Sequence, residues 1–185
     1  VFAELSRRCL GREPVIVSSA LRMNIRLGVE APEKVGADRI ANAAAALHYF
    51  GAPFIVVDFG TATTLDVVDK NGVFCGGIIA PGLRTASYAL SARTALLPEI
   101  GIAQPQALIG RNTEEAMLSG IYYGQASMVD GLVERLGLAL EGEPLIVATG
   151  GFAPVMADLC GCFDEIRPEL TLQGLRVLAE LNHAG

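Results

Sequence analysis

The sequence predicts an α/β fold with strands running in both directions. Three observations carry that expectation. Three apolar segments, Phe54 to Asp58, Thr63 to Asp69 and Val73 to Ala80, follow one another across short turns and read as a meander. A long helical stretch begins after Asn112. A further strand, Pro144 to Ala148, runs through Thr149-Gly150-Gly151 into another helix, so helix and strand alternate.

Taken in order, residues 2–10 form a short amphipathic helix stopped by Gly11 and Pro14. Val15 to Ser18 has the composition of a short strand, and Leu21 to Gly28 is irregular or extended. Pro32 marks a loop. From Asp38 to Phe50, Ile40, Ala43, Ala44 and Leu47 recur at three-and-four spacing, giving a helix that Gly51 and Pro53 end. Phe54 to Asp58 is continuously apolar, as in a central strand. Asn71-Gly72 is a hairpin turn, because both residues tolerate positive φ. Gly76-Gly77 suggests a bulge or a close backbone approach. Leu83 to Leu96 is helical, and 99–110 is a loop. Asn112 caps the long helix, with Glu115 in the capping-box position, and the helix extends to about Leu136. A helix after the double glycine reaches about Leu159. Ile166 reads as a short strand, and Leu172, Leu175, Leu178 and Leu181 mark the last helix.

The chain has 185 residues, 51% of them hydrophobic, enough for a core that needs no staples. Its net charge of −6 comes without a basic patch, which argues against nucleic-acid binding. No apolar run is long enough to span a membrane, and the start of the chain lacks a signal-peptide layout. The chain therefore reads as soluble and cytoplasmic. Of Cys9, Cys75, Cys160 and Cys162, only the last two are close, and C-G-C suits neither zinc nor a thioredoxin-like motif; reduced, packed thiols are expected. His48 and His183 lack a nucleophile pattern and receive no catalytic role.

Three groups of residues ask for a polar ligand. Asp58, Gly60, Thr61, Thr63 and Thr64 form a turn between two strands. Bare backbone there can approach an anion, hydroxyls can bond its oxygens, and the carboxylate can hold a cation; the same string also makes an ordinary hairpin. Gly36, Asp38 and Arg39 open a helix. Asp38 there complements the helix dipole, and the same site suits a carboxylate that orients a hydroxyl and takes its proton. Arg39 can hold a substrate carboxylate through two parallel hydrogen bonds, and Asn42 shares the face of Asp38. Thr149, Gly150 and Gly151 present free amides at a helix start, suited to a nucleotide or to a tight turn.

The order of these groups resembles the type III pantothenate kinases. The resembling stretches are VGADRIANAAAA (Val35 to Ala46), FIVVDFGTATTLDVVDKNGVFCGGIIAPGL (Phe54 to Leu83), IGRNTEEAMLSG (Ile109 to Gly120) and VATGG (Val147 to Gly151), with Pro32 and TLQGL (Thr171 to Leu175). The resemblance implies the actin/hexokinase/Hsp70-like ATPase (ribonuclease H-like) fold, a mixed sheet flanked by helices. It implies ATP-dependent phosphorylation of pantothenate to 4′-phosphopantothenate, the first step toward coenzyme A. Gly36, Ala37, Asp38 and Arg39 would then bind pantothenate, with Asp38 the general base. Asp58 would hold a monovalent cation, potassium or ammonium, and Mg²⁺ would come with the nucleotide. Thr61, Gly60, Thr63, Gly150 and Gly151 would meet ATP. Thr113 would reach pantothenate across a homodimer interface. Ala116, Gly120 and Gly124 give the long helix a smooth strip, suited to that interface or to packing on the sheet.

Two departures stand beside the resemblance. The D-x-G-N-T phosphate loop that opens these kinases has no counterpart here. The expectation is that 1–35 is the remnant of an incomplete first domain, with 36–185 the second, and that the chain alone is inactive or nearly so. Residues 1–35 would also be the least secure part of the fold. Val29, nine residues before Asp38, stands where the family has an aromatic. The alternatives are a non-catalytic binding or regulatory paralogue that keeps the fold, and, more weakly, a sugar or acetate kinase.

Overall fold

A computed structural model describes residues 2–11, 13–94 and 96–183, with the side chains of Phe2, Leu10 and His183 outside the described set. The first helix, α1 (Phe2–Leu5), continues through a π-type turn (Ser6–Leu10) and ends at Gly11, whose φ of 61° is open to glycine. The expected strand at Val15 to Ser18 is irregular instead. A strand exists only where another strand pairs with it, and Ile16 here remains 65% exposed. The first strand is β1 (Arg26–Leu27), followed by a 3₁₀ turn at Pro32–Lys34.

Helix α2 (Ala37–Phe50) starts at Gly36 and stops at Gly51, whose φ is 77°. Then come β2 (Phe54–Phe59), β3 (Ala62–Val68) and β4 (Val73–Pro81). Helix α3 (Leu83–Arg93) stops short of Leu96. Helix α4 (Thr113–Ala139) precedes β5 (Leu145–Thr149), α5 (Ala153–Ala157), β6 (Glu165–Ile166) and α6 (Leu170–His183). The strands make one mixed sheet in the order β1-β4-β3-β2-β5-β6. Strands β2, β3 and β4 run antiparallel, while β5 lies parallel to β2, β6 parallel to β5, and β1 parallel to β4. A mixed sheet flanked by helices is the architecture expected from the resemblance.

Both faces of the sheet are covered, which is why β2 is apolar apart from Asp58 near its end. Phe54, Val56, Val68, Phe74 and Val147 face the alanines of α2 and Leu170 of α6. Ile55, Val57, Phe59, Leu65 and Val67 face Ile121, Tyr122, Ala126, Val129 and Val133 of α4. Local turn chemistry holds the meander in register. At the Asn71-Gly72 turn, the Asp69 carboxylate accepts from the amides of Asn71 and Val73, each at 2.9 Å, and Gly72 has φ 70°. A bulge lies in β4 at Cys75, beside Gly76, where the register slips between Val67 and Val68. At the start of α4, Glu115 N donates to Asn112 Oδ1 at 2.9 Å while the Glu115 carboxylate accepts from Arg111 N at 2.7 Å. All four cysteines are unpaired. Burial, reinforced by Asp130, pushes the Cys160 thiol up to about 12, so it stays a protonated core side chain.

Helix α6 corrects the leucine stripe. Leu172 and Leu175 are exposed, while Leu170, Val177 and Leu178 are buried. The reason is the partner: α2 offers a face of alanines, so the helices approach until only glycine fits at the crossing. A Cβ on Gly174 would lie 1.9 Å from the Ala41 carbonyl oxygen. Gly174→Val is therefore expected to cost about 1–3 kcal/mol through overpacking. Gly131→Ala, on α4 with nothing within 4 Å of its added Cβ, should instead gain up to about 1 kcal/mol of helix propensity. Thermal melts showing both variants shifted the same way would contradict this packing.

Candidate active site

The ends of β2, β3 and β5 meet the first turn of α2 on the α2/α6 face of the sheet. Pairing dictates the meeting: Asp58 stands opposite Thr64 on one side and Thr149 on the other. Gly150 therefore sits directly on Asp58. Its φ is 91°, and a Cβ there would lie 2.5 Å from Asp58 Oδ1 and 2.7 Å from the Phe59 carbonyl oxygen. The Gly60-Thr61 turn is pinned from the start of α3, because Gly82 N donates to the Thr61 carbonyl at 3.1 Å and the Thr85 hydroxyl to the same oxygen at 2.7 Å. The Thr61 side chain is left exposed, as is Gly151.

Asp58 is partly buried and its Oδ2 accepts from Asn42 Nδ2 at 2.8 Å. Burial pushes its carboxyl above the usual range, Asn42 pulls it back, and the charge of Asp38 raises it further. That repulsion, together with the Asn42 bond one turn along α2, places Asp38 and Asp58 near one another. Asp38 itself is exposed on the first turn of α2, bonded to the amide of Arg39 at 2.9 Å, and folded over Gly36, where a Cβ would lie 2.5 Å from its Oδ1. Ala37 is exposed beside it.

Arg39 does not reach into open solvent. Its Nε donates to Asp66 Oδ1 at 2.7 Å, its Nη2 donates to the same oxygen, and its guanidinium lies 5.4 Å from the centre of the Phe74 ring. Asp66 is fully buried, and the Thr64 hydroxyl donates to its other oxygen at 3.4 Å. Burial raises the Asp66 carboxyl, Arg39 and Thr64 lower it in part, and Asp38 adds a smaller push upward. The sequence reading missed Asp66. Its signal was there: a carboxylate inside an apolar strand, two positions from Thr64 and so on the same face.

Alternation along β3 corrects the place of Thr63. Its side chain is wholly buried on the α4 face, where its hydroxyl accepts from Gln125 Nε2 at 2.6 Å. It is not among the groups around Asp58; Thr64, its neighbour, is. Thr113 also lies across the sheet from Asp38. It lines an open, largely apolar groove of about 790 Å³ between α3 and α4, together with Ala116, Gly120 and Gly124. Gly120 and Gly124 have nothing within 4 Å of a built Cβ, so the strip is not consumed by packing on the sheet. Val29 packs in the core beside Gly76.

Among the described residues no set of three His, Cys, Asp or Glu side chains converges on a metal position. The lack of a Cβ at Gly150 lets its backbone lie against Asp58 Oδ1 and the Phe59 carbonyl.

Carboxylates on the first turn of α2 and near the end of β2, beside a glycine without a side chain, are groups that phosphoryl transfer can use for positioning and charge stabilisation. The sequence pattern that describes the type III pantothenate kinases matches residues 1–135, and the chain belongs to that family. It is 46% identical over 182 residues to a type III pantothenate kinase of Gluconobacter oxydans, covering 97% of this chain and 67% of that one. It is 41% identical over 182 residues to a type III pantothenate kinase of Moorella thermoacetica, covering 98% of this chain and 72% of that one. The chain thus spans about two thirds of the length of these relatives. Among solved structures, a Baf family protein of Campylobacter jejuni shares the fold, with a TM-score of 0.53 at 21% identity over 77% of this chain and 64% of that one.

The raised Asp58 carboxyl sets a pH dependence. A proton binds it more tightly in the folded chain than in the unfolded one. Its favourable contribution is thus full below the ordinary carboxylate range and is lost as pH rises through the raised folded-state value. At pH 7 the ionised Asp58 is a net cost. Asp58→Asn keeps an acceptor for Asn42 and should melt higher than the parent at pH 7, with the gap closing toward about pH 4. Equal melting temperatures at pH 7 would contradict the assignment.

Proposed function

We propose that this chain supplies the pantothenate site and the general base for ATP-dependent phosphorylation of pantothenate at its terminal hydroxyl, giving 4′-phosphopantothenate in the cytoplasm, an activity to be assayed in a protein of its relatives' full length. The observation that carries the reading is the approach of Asp38 and Asp58, linked through Asn42 one turn along α2, with Gly150 against Asp58. Family membership supports the chemistry, and the absence of a basic patch fits a small-molecule substrate.

Phosphoryl transfer has a loose transition state, so catalysis is mostly positioning and charge stabilisation. In the proposed arrangement, pantothenate lies along the start of α2, against the backbone of Gly36 and Ala37. Arg39 holds its carboxylate. Asp38 orients the terminal hydroxyl and receives its proton as the oxygen bonds to the γ-phosphorus of ATP, while the bond from that phosphorus to the bridging oxygen breaks and ADP leaves. Gly60, Thr61, Gly150 and Gly151 supply backbone and hydroxyl contacts to the nucleotide, which brings its own Mg²⁺. Asp58 and the Phe59 carbonyl would hold a monovalent cation, potassium or ammonium, which when bound offsets phosphate charge. A second copy of the chain would seat on the α3–α4 groove, and Thr113 at its rim would serve the partner's pantothenate site.

Two measurements test this reading. Asp38→Asn should lower kcat by about 10²–10⁴, the usual worth of a general base, with ATP affinity unchanged. Equal losses in turnover and ATP binding would refute the base role. Sedimentation at micromolar concentration should give a dimer, and Gly120→Arg, which fills the bare strip, a monomer. A monomeric parent chain would remove the dimer.

A further inference from the structure

We propose that Asp66 is a positioning residue that sets the Arg39 guanidinium for the carboxylate of the substrate. This rests on the reading in which Arg39 binds that carboxylate. Asp66 lies in the middle of β3, fully buried, and its partners are Arg39 and Thr64. A buried ion pair is a poor way to stabilise a fold, since apolar residues of similar volume do as well or better. This one lies beside the exposed Asp38, close enough for the Asp38 charge to act on it.

The geometry divides the guanidinium in two. Nε and Nη2 both donate to the single oxygen Asp66 Oδ1, so one edge of the fork is taken. Phe74 lies against its face, 5.4 Å from ring centre to Cζ, which fixes the plane. Nη1 has no acceptor among the described residues, and the Arg39 side chain keeps 17% of its surface exposed. The open edge of a planar fork fixed at its other edge matches a carboxylate in orientation as well as charge. The Asp66 charge also holds Arg39 oriented before substrate arrives, so less side-chain freedom is lost on binding.

Asp66→Asn keeps the shape and removes the charge. It should raise the KM for pantothenate about tenfold or more, as when one charge-assisted contact is misplaced, with little change in kcat or in the KM for ATP. The loss should vanish for an analogue whose carboxylate is replaced by a neutral amide, a difference that a general folding defect cannot produce. Arg39→Ala, measured beside it, separates the two claims. If Arg39→Ala leaves the KM for pantothenate unchanged, the carboxylate is not on Arg39 and the role of Asp66 falls with it. If Arg39→Ala raises that KM while Asp66→Asn leaves it within about twofold, the assignment of Arg39 stands and the role of Asp66 is overturned. Should Asp66→Asn fail to fold, Asp66→Glu is read in the same way. It keeps the charge and shifts it by one methylene, and should raise the KM for pantothenate without raising that for the amide analogue.

Discussion

The buried amide of Asn42 ties together the three elements on which the site depends. Its Nδ2 donates to Asp58 on β2, and its Oδ1 accepts from the Thr171 hydroxyl on α6 at 2.7 Å. Asn42 is itself one turn along α2 from Asp38. One side chain with no solvent exposure thus links the helix that carries Asp38 and Arg39, the strand that carries Asp58, and the helix that closes the face. Leaving such a buried donor or acceptor unmatched costs about 1–3 kcal/mol. The pairing therefore holds α2 in one rotation about its axis, and that rotation aims Asp38 and Arg39.

Small side chains make the approach possible. The run of alanines on α2 lets the helix lie close to the sheet on one side and to Gly174 on the other. On this closely packed base the chain assembles three carboxylates, of which Asp58 and Asp66 are raised mainly by burial and Asp38 adds repulsion to both. Such a cluster works against folding stability. Carboxylates perturbed by burial and by one another are a common mark of functional sites. Arg39 is the internal counter-charge, shared between the fold and the proposed substrate.

What was legible in the sequence follows the range of the physics involved. The Asn71-Gly72 turn, the Asn112–Glu115 cap and the bulge at Gly76-Gly77 depend on a few neighbouring residues, and they stand as read. The clustering of Asp58 with Gly150 follows from the pairing of β2 with β5, which spacing along the sequence does not reveal. Three features were illegible for tertiary reasons. Val15 to Ser18 has strand composition but no pairing partner. The last helix shows four leucines in register, yet the alanine face of α2 selects Leu170, Gly174 and Leu178. Thr63 and Thr64 look alike in the string, and only the alternation of a strand covered on both faces sends one hydroxyl to Gln125 and the other to Asp66. Asp66 was hidden by the same feature, a charge lodged in a buried strand whose partner lies 27 positions away.

The central claim is that the first turn of α2 and the ends of β2 and β3 form one pantothenate site. A crystal structure of the chain with pantothenate tests it most directly. The account predicts the terminal hydroxyl within hydrogen-bond distance of the Asp38 carboxylate and the substrate carboxylate on the free edge of Arg39. Pantothenate bound elsewhere, with Asp38 and Arg39 untouched, would contradict it.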